Sequence, residues 1–168
     1  MGSVVVTSTL MLSSAPADVW PLLTDTDRTN RLVLGQSNVY KPIEPGTKSS
    51  ARFLVETKAV GLKMTYEEAP FEWTLNKRFS VFRRMRSGPL ESYTYGLQLE
   101  PAPDGGTKVT MRLDLVPRHW ALTPVAQIEG RRILARMGKI AADIDAHVSQ
   151  SAPSPYLKPS SPANEERL

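Results

Sequence analysis

The feature that most constrains this chain is a series of short alternating segments that ends in one long amphipathic segment. The clearest two-residue period lies on residues 109–115, where apolar side chains alternate with polar ones. Strand-like segments also occur at residues 4–13, 39–43, 51–57, 62–66, 71–75, 78–85 and 93–99. Because most of these segments follow one another without an intervening helix, the sequence predicts an α+β domain with a curved antiparallel sheet of about six to seven strands.

The segment at residues 124–148 predicts a long C-terminal helix. Apolar residues recur there at spacings of three or four and so share one face: Ile133, Met137, Ile140, Ile144 and Val148. A helix of about 25 residues is roughly 37 Å long, enough to cover one face of such a sheet. Two short helices are predicted after the first strand, one with Ser14 as its N-cap and one at residues 25–34.

The length of 168 residues suits one domain, which we place at residues 4–148. Residues 149–168 are rich in Pro and Ser and predict a flexible tail or linker. The chain has no cysteine, no stretch of 18 apolar residues and no leader-like N-terminus, so we expect a cytoplasmic protein without a transmembrane segment. The net charge of +4 is spread along the chain and does not predict nucleic-acid binding.

Catalytic signatures are scarce. No nucleotide-binding glycine loop, zinc-protease motif or nucleophile elbow occurs, and we predict no catalytic residue, no metal ligand and no cofactor. The two histidines, His119 and His147, flank the long helix and are interpreted as surface or capping residues. The sequence therefore favours a binding module over an enzyme.

Inward-facing side chains of the strands and of the long helix are the candidate ligand contacts. Such a set either fills a packed core or lines an apolar cavity, and two inward tyrosines favour the cavity because a buried hydroxyl needs a partner. The candidates are Phe53, Val55, Met64, Trp73, Phe79, Val81, Arg83, Tyr93, Tyr95, Met111, Leu113, Ile133 and Met137.

A run of basic residues places an arginine among these candidates. If Phe79 and Val81 face the helix, Arg83 does too, because alternate residues of a strand share a face. If Phe82 faces inward instead, so does Arg84, and we consider Arg83 the better candidate. A buried guanidinium requires a carboxylate, which comes either from the protein or from a ligand with an acidic head and an apolar body.

Residues 15–25, Ala-Pro-Ala-Asp-Val-Trp-Pro-Leu-Leu-Thr-Asp after a first strand, resemble the Bet v 1-like or START-related superfamily, the polyketide cyclase/dehydrase and lipid-transport group. The resemblance covers about residues 4–148 and implies a helix-grip fold with an apolar cavity between sheet and long helix. Residues 70–73, 78–79, 86–90 and 105–107 also resemble a version of this domain found N-terminal to bacterial class III adenylate/guanylate cyclase domains.

These observations lead to one preferred function and two alternatives. The preferred function is the binding of a small hydrophobic ligand by a carrier or by a regulatory sensor of a signalling protein, in which the long helix reports occupancy to a downstream domain such as a cyclase. The first alternative is a polyketide cyclase or aromatase-like enzyme. The second is a protein-interaction domain with a filled core, because one fold serves many functions.

Overall fold

The computed structural model describes residues 2–26, 39–42, 53–59, 62–69 and 71–151. In chain order its elements are β1 (Val4–Leu12), α1 (Pro16–Leu23), β2 (Val39–Pro42), β3 (Phe53–Ala59), β4 (Leu62–Glu68), β5 (Glu72–Thr74), β6 (Arg78–Met85), β7 (Leu90–Pro101), β8 (Thr107–Pro117), a 3-10 turn (Trp120–Leu122) and α2 (Thr123–Ser151). The predicted α+β class, antiparallel sheet and long helix are confirmed. Most of the second short helix predicted at residues 25–34, and nearly all of the tail, lie outside the described residues.

The sheet brings the two ends of the domain together. Its strand order is β1-β8-β7-β6-β4-β3-β2, with the short β5 pairing with β6 beside this path. Every pairing is antiparallel, and β1 lies against β8, with Val4 opposite Leu115 and Leu12 opposite Thr107. The first strand therefore forms part of the surface on which the last helix packs.

Helix α2 packs against one side of the sheet, mainly over β1 and β8. We call the face of the sheet that it covers the inner face. The most buried helix residues are small as well as large: Ala126, Gly130, Leu134, Met137, Ala141 and Ile144. Ile133, Ile140 and Val148, predicted to form the apolar face, pack at its margin and are partly buried. The helix therefore turns its small residues towards the sheet, which lets the two backbones come close.

Gly130 marks the closest approach between α2 and the sheet. A Cβ atom at this position would lie 3.0 Å from Val6 Cγ2 and 3.0 Å from Leu115 Cδ1. Real Cβ atoms rarely approach other atoms so closely, so a side chain here would displace its neighbours. At Gly138, about two turns further on, a Cβ atom would lie at an ordinary 3.8 Å from Met111 Cε.

Alanine substitutions at these two glycines should have opposite effects on stability. Gly138→Ala should stabilise the protein by about 0.5–1 kcal/mol, because alanine is the better helix former and space for its methyl group exists. Gly130→Ala should destabilise it by about 1 kcal/mol, because overpacking outweighs the same helical gain. Urea unfolding of the two variants tests this, and an equal stabilisation by both would contradict the close approach at Gly130.

The far end of α2 is tied to the junction between β1 and α1. The Asp145 carboxylate accepts hydrogen bonds from the Ser13 backbone N–H at 2.8 Å, the Ser13 hydroxyl at 2.9 Å and the Ser14 backbone N–H at 2.8 Å. Partial burial raises the pKa of Asp145, but the hydrogen bonds from Ser14 and Ser13 outweigh it, so the pKa is lowered from its ordinary value of 3.8. Ser14 thus belongs to this tether, while the N-cap of α1 is Ala15.

This tether should make stability depend on pH in the acid range. Because the pKa of Asp145 is lower in the folded state, its contribution is complete well above pH 3.8 and is lost as the pH falls through the folded-state pKa. We expect Asp145→Asn to cost about 1 kcal/mol at pH 7, a value reduced by solvent screening, and progressively less as the pH falls below 3.8. Urea unfolding as a function of pH measures the difference, with the exposed Asp143→Asn as the control. A pH-independent loss would contradict a charge-based tether.

Candidate functional site

The strand register places a charged row in the middle of the inner face. Arg83 on β6 lies directly opposite Tyr93 on β7 and Glu68 on β4. The same row continues to Leu115 on β8 and Phe53 on β3. Directly opposed residues of antiparallel strands point to the same face with Cβ atoms about 5 Å apart. The register alone therefore brings an arginine between a tyrosine and a glutamate.

Arg83 forms the centre of a buried group that we call the polar cluster: Arg83, Glu68, Tyr93 and Tyr66. Its Nε donates to Glu68 Oε2 at 2.6 Å, and its Nη1 donates to the Tyr93 hydroxyl. The guanidinium carbon lies 5.0 Å from the centre of the Tyr66 ring and 5.4 Å from that of Tyr93. Arg83 is 5% exposed and Glu68 is 3% exposed. Two opposite charges are thus held in the interior with directional hydrogen bonds and aromatic neighbours.

The surroundings keep the arginine charged. Burial opposes the charged guanidinium, but Tyr93, Tyr66 and Glu68 more than compensate, so the pKa of Arg83 is raised. A buried Arg83 was expected to need a carboxylate from the protein or from a ligand, and Glu68 of the protein provides that carboxylate. This contact removes the original reason to expect an acidic ligand head.

Apolar side chains surround the polar cluster in two groups. The main core includes six of the candidate residues in buried positions: Phe79, Val81, Tyr95, Met111, Leu113 and Met137. Ile133 packs against this core and is partly buried. A smaller cluster consists of Val55, Tyr66 and Met85, and Phe53 and Met64 pack against it. Tyr93 contacts both groups, so the polar cluster lies where they meet.

Trp73 does not belong to this buried set. It lies opposite Phe79 and so shares the inner face, but its predicted burial beneath the long helix is wrong. Its side chain is 64% exposed. The strand β5 that carries it has only three residues and pairs with Arg78–Ser80 at the margin of the sheet, away from the strands that α2 covers. Alternation alone did not reveal this, because a three-residue strand shows the same pattern whether it lies at the centre or at the margin of a sheet.

One fully buried hydroxyl group on the inner face has no hydrogen-bond partner. Thr57 Oγ1 is buried and forms no hydrogen bond within the described part of the chain. A buried polar group without a partner normally costs about 1–3 kcal/mol. A bound molecule that formed a hydrogen bond with Thr57 would remove this cost. Tyr95 carries a second hydroxyl into the core of the same face, where burial raises its pKa.

Three contributors to the site were missed in the sequence. Glu68 and Tyr66 share the face of Met64 on β4, which extends two residues beyond the segment predicted at 62–66. Continuing the alternation to Glu68 would have shown a carboxylate on the face that Arg83 requires. Thr57 carried no comparable signal, because threonine is common on both faces of strands.

The histidines and carboxylates do not form a metal centre among the described residues, where no group of three or more His, Cys, Asp or Glu converges. His119 caps the 3-10 turn, its Nδ1 accepting from the Ala121 backbone N–H at 3.3 Å, as the capping interpretation predicted. None of the described helices is long and apolar enough to span a membrane.

Breaking the buried ion pair between Arg83 and Glu68 should lower the free energy of unfolding far more than breaking an exposed ion pair. Glu68→Gln should destabilise the protein by about 3 kcal/mol, because the Arg83 charge would stay buried without its counter-charge. The double variant Glu68→Leu/Arg83→Met should recover much of this loss, since it removes both charges. Urea unfolding measures each effect.

The neighbouring Arg86–Glu67 pair supplies the control on the same two strands. Arg86 is mostly exposed, so Glu67→Gln should cost no more than about 1 kcal/mol. Equal losses at Glu67 and Glu68 would contradict a special role for burial.

The comparisons with known proteins agree with this architecture. Residues 3–143 match the family described as polyketide cyclase / dehydrase and lipid transport. No curated protein matches the sequence significantly. A START superfamily protein from Mycobacterium smegmatis superposes with a TM-score of 0.60 at 12% identity, over 89% of this chain and 99% of that one.

Two further solved structures have the same fold. The di-domain ARO/CYC StfQ from the steffimycin biosynthetic pathway has a TM-score of 0.63 at 14% identity, covering 88% of this chain and 52% of that one. Ara h 8.0201 has a TM-score of 0.59 at 17% identity, covering 89% and 99%. At these identities the likeness shows the fold alone, whereas the family match spans most of the sequence and confirms the predicted superfamily. The chain belongs to the polyketide cyclase/dehydrase and lipid transport family.

Proposed function

We propose that the chain binds a small, mainly hydrophobic molecule on the inner face of its sheet, beside α2, as a non-catalytic carrier or regulatory sensor. The observation that carries this proposal is the buried Thr57 hydroxyl, which lacks a hydrogen-bond partner among the described residues. The hydroxyl of Tyr95, a core residue of the same face, is the second polar group that we assign to the ligand. Binding sites are mostly apolar with a few polar groups that orient the ligand, and the inner face has this composition. The family description, which names lipid transport, supports the same function.

The positions of the two hydroxyls suggest an elongated ligand. Thr57 lies on β3 and Tyr95 on β7, with β4 and β6 between them. Three strand spacings separate these strands, about 14 Å across the sheet. The polar cluster occupies β4, β6 and β7, so a molecule that reached both hydroxyls would pass Arg83 and Tyr93.

The electrostatics of the site favour a ligand without a carboxylate. Glu68 already occupies the Nε side of Arg83. An acidic head would place a second carboxylate beside Glu68, and like charges in a buried site repel strongly. We therefore expect hydroxyl, carbonyl or ether oxygens on the ligand instead of the acidic head considered from the sequence.

Binding is favoured over acid–base catalysis by the direction of the pKa shifts. An effective general acid or base has a pKa near the working pH. The pKa values of Arg83 and Tyr95 are both raised, away from neutrality. These groups suit the role of fixed hydrogen-bond partners, and a cyclase-like reaction would need a different acid or base.

The sensor role remains a prediction. It rests on the position of α2, which contributes Met137 and Ile133 beside the inner face and continues towards the Pro- and Ser-rich segment that begins near residue 149. The association with a downstream cyclase domain rests on the sequence resemblance and also remains a prediction.

Removing the hydroxyl of Thr57 or of Tyr95 should weaken ligand binding without substantially lowering the stability of the free protein. Thr57→Val should leave the free protein as stable as the parent or about 1 kcal/mol more stable, because it removes an unpartnered buried hydroxyl. Tyr95→Phe should change the stability of the free protein by less than about 1 kcal/mol, because it keeps the buried ring. Each should weaken ligand binding about fivefold or more, because a hydrogen bond to the ligand is lost. Native mass spectrometry of gently purified protein identifies a bound molecule, and thermal shifts with a fatty acid, a sterol and an aromatic polyketide give relative affinities.

The matched control is Thr110→Val on the outer face of β8, where the Thr110 hydroxyl contacts the Thr9 hydroxyl at 3.5 Å. This change should leave ligand binding unaltered. A clean unliganded mass with no thermal shift across the panel would contradict the proposal and favour an interaction domain with a filled core. A loss of stability in Thr57→Val would instead show that the hydroxyl has a structural partner.

A further inference from the structure

A second surface, remote from the inner face of the sheet, exposes large apolar side chains beside the start of α2. Trp120 in the 3-10 turn is 74% exposed, and Val125 and Ile128 in the first turns of α2 are 56% and 51% exposed. Exposed apolar residues are ordinary when scattered, but three within nine positions, in a turn and the helix that follows it directly, call for an explanation. We call Trp120, Val125 and Ile128 the apolar tip.

The apolar tip continues into a basic stripe on the same side of the helix. Val125, Ile128, Arg132 and Lys139 follow one another at spacings of three, four and seven residues, which aligns them on one helical face. All four are exposed. The buried stripe that includes Gly130 lies on the opposite side of the helix, so this face points away from the sheet.

Positive charge is concentrated around this face. Residues 115–142 contain five Lys or Arg and a single acidic residue, Glu129, so their net charge of +4 equals that of the whole chain. Glu129 accepts a hydrogen bond from Arg132 at 2.6 Å, while Arg131, Arg136 and Lys139 are exposed around it. The charge that looked dispersed along the sequence is therefore concentrated in this region.

We propose that the apolar tip and its basic stripe dock the protein on an anionic lipid surface. Tryptophan with aliphatic neighbours suits the boundary between headgroups and acyl chains, and nearby Lys and Arg are attracted to anionic headgroups. A second copy of the chain would bring two basic surfaces together, and repulsion disfavours that pairing. Nucleic-acid phosphates would satisfy the cations but gain nothing from Val125 and Ile128. This inference does not depend on the ligand proposed for the inner face.

The test uses the full chain and vesicles of phosphatidylcholine with or without phosphatidylglycerol. We expect co-sedimentation with the anionic vesicles alone, a blue shift of tryptophan emission, and weaker binding at high salt. Absence of binding to the anionic vesicles, or equal binding to neutral ones, would overturn the proposal. So would a dimer in solution that Val125→Glu/Ile128→Glu dissociates, or nucleic-acid binding that persists in this variant while vesicle binding is absent.

Variants identify the surface that binds. Val125→Glu/Ile128→Glu and, separately, Trp120→Ser should abolish vesicle binding without changing the circular dichroism spectrum, since all three side chains are exposed. Arg131→Gln/Arg136→Gln should weaken binding roughly 25-fold, about fivefold for each cation. The control Met11→Glu alters an exposed apolar residue on β1 and should have no effect. If instead Trp73→Ser removes binding and the apolar-tip variants do not, the assignment to α2 is wrong.

Discussion

The buried ion pair between Arg83 and Glu68 constrains the rest of the sheet. Two charges in the interior are tolerated only when they meet with good geometry, and here the pairing of β4 with β6 sets them directly opposite each other. A slip of one residue by β6 would turn Arg83 to the outer face, bring Phe82 inward and leave Glu68 buried without its partner. The pair therefore specifies one register at the centre of the inner face, from which the positions of Tyr93 and Phe53 follow.

The close packing at Gly130 determines which part of that face α2 covers. The helix approaches β1 and β8 through small residues, while Met137 is buried in the main core and Ile133 packs partly buried against it. The inner face is thereby divided into a main core under the helix and a smaller cluster around Val55 on the far strands. Tyr93 packs against both the main core and the smaller cluster, and the polar cluster lies at the boundary between them.

The sequence predicted the order of the strands and the long helix well, because period-two and period-3.6 patterns reflect burial directly. The same patterns placed Arg83 on the buried face. They failed where burial depends on a neighbour that the pattern does not contain: Trp73 alternates correctly but lies beyond the reach of α2. Glu68 was missed because a charged residue ended the apparent strand, although its partner on β6 required it. The close approach of α2 to the sheet at Gly130 involves Val6 and Leu115, which are far away in sequence. The residues next to Gly130 in the sequence therefore do not indicate it.

The features that favour function are those that a sequence selected for stability alone would lack. Replacing the polar cluster with apolar residues of similar volume would often be neutral or stabilising, and the unpartnered hydroxyl of Thr57 is a direct cost. Trp120, Val125 and Ile128 gain nothing from folding while they stay exposed. The inner-face groups would recover free energy from a bound molecule, and the apolar tip from a lipid surface. The two sites need not be coupled, but a carrier of hydrophobic molecules requires both a sheltered site and a means of reaching the membrane in which such molecules dissolve.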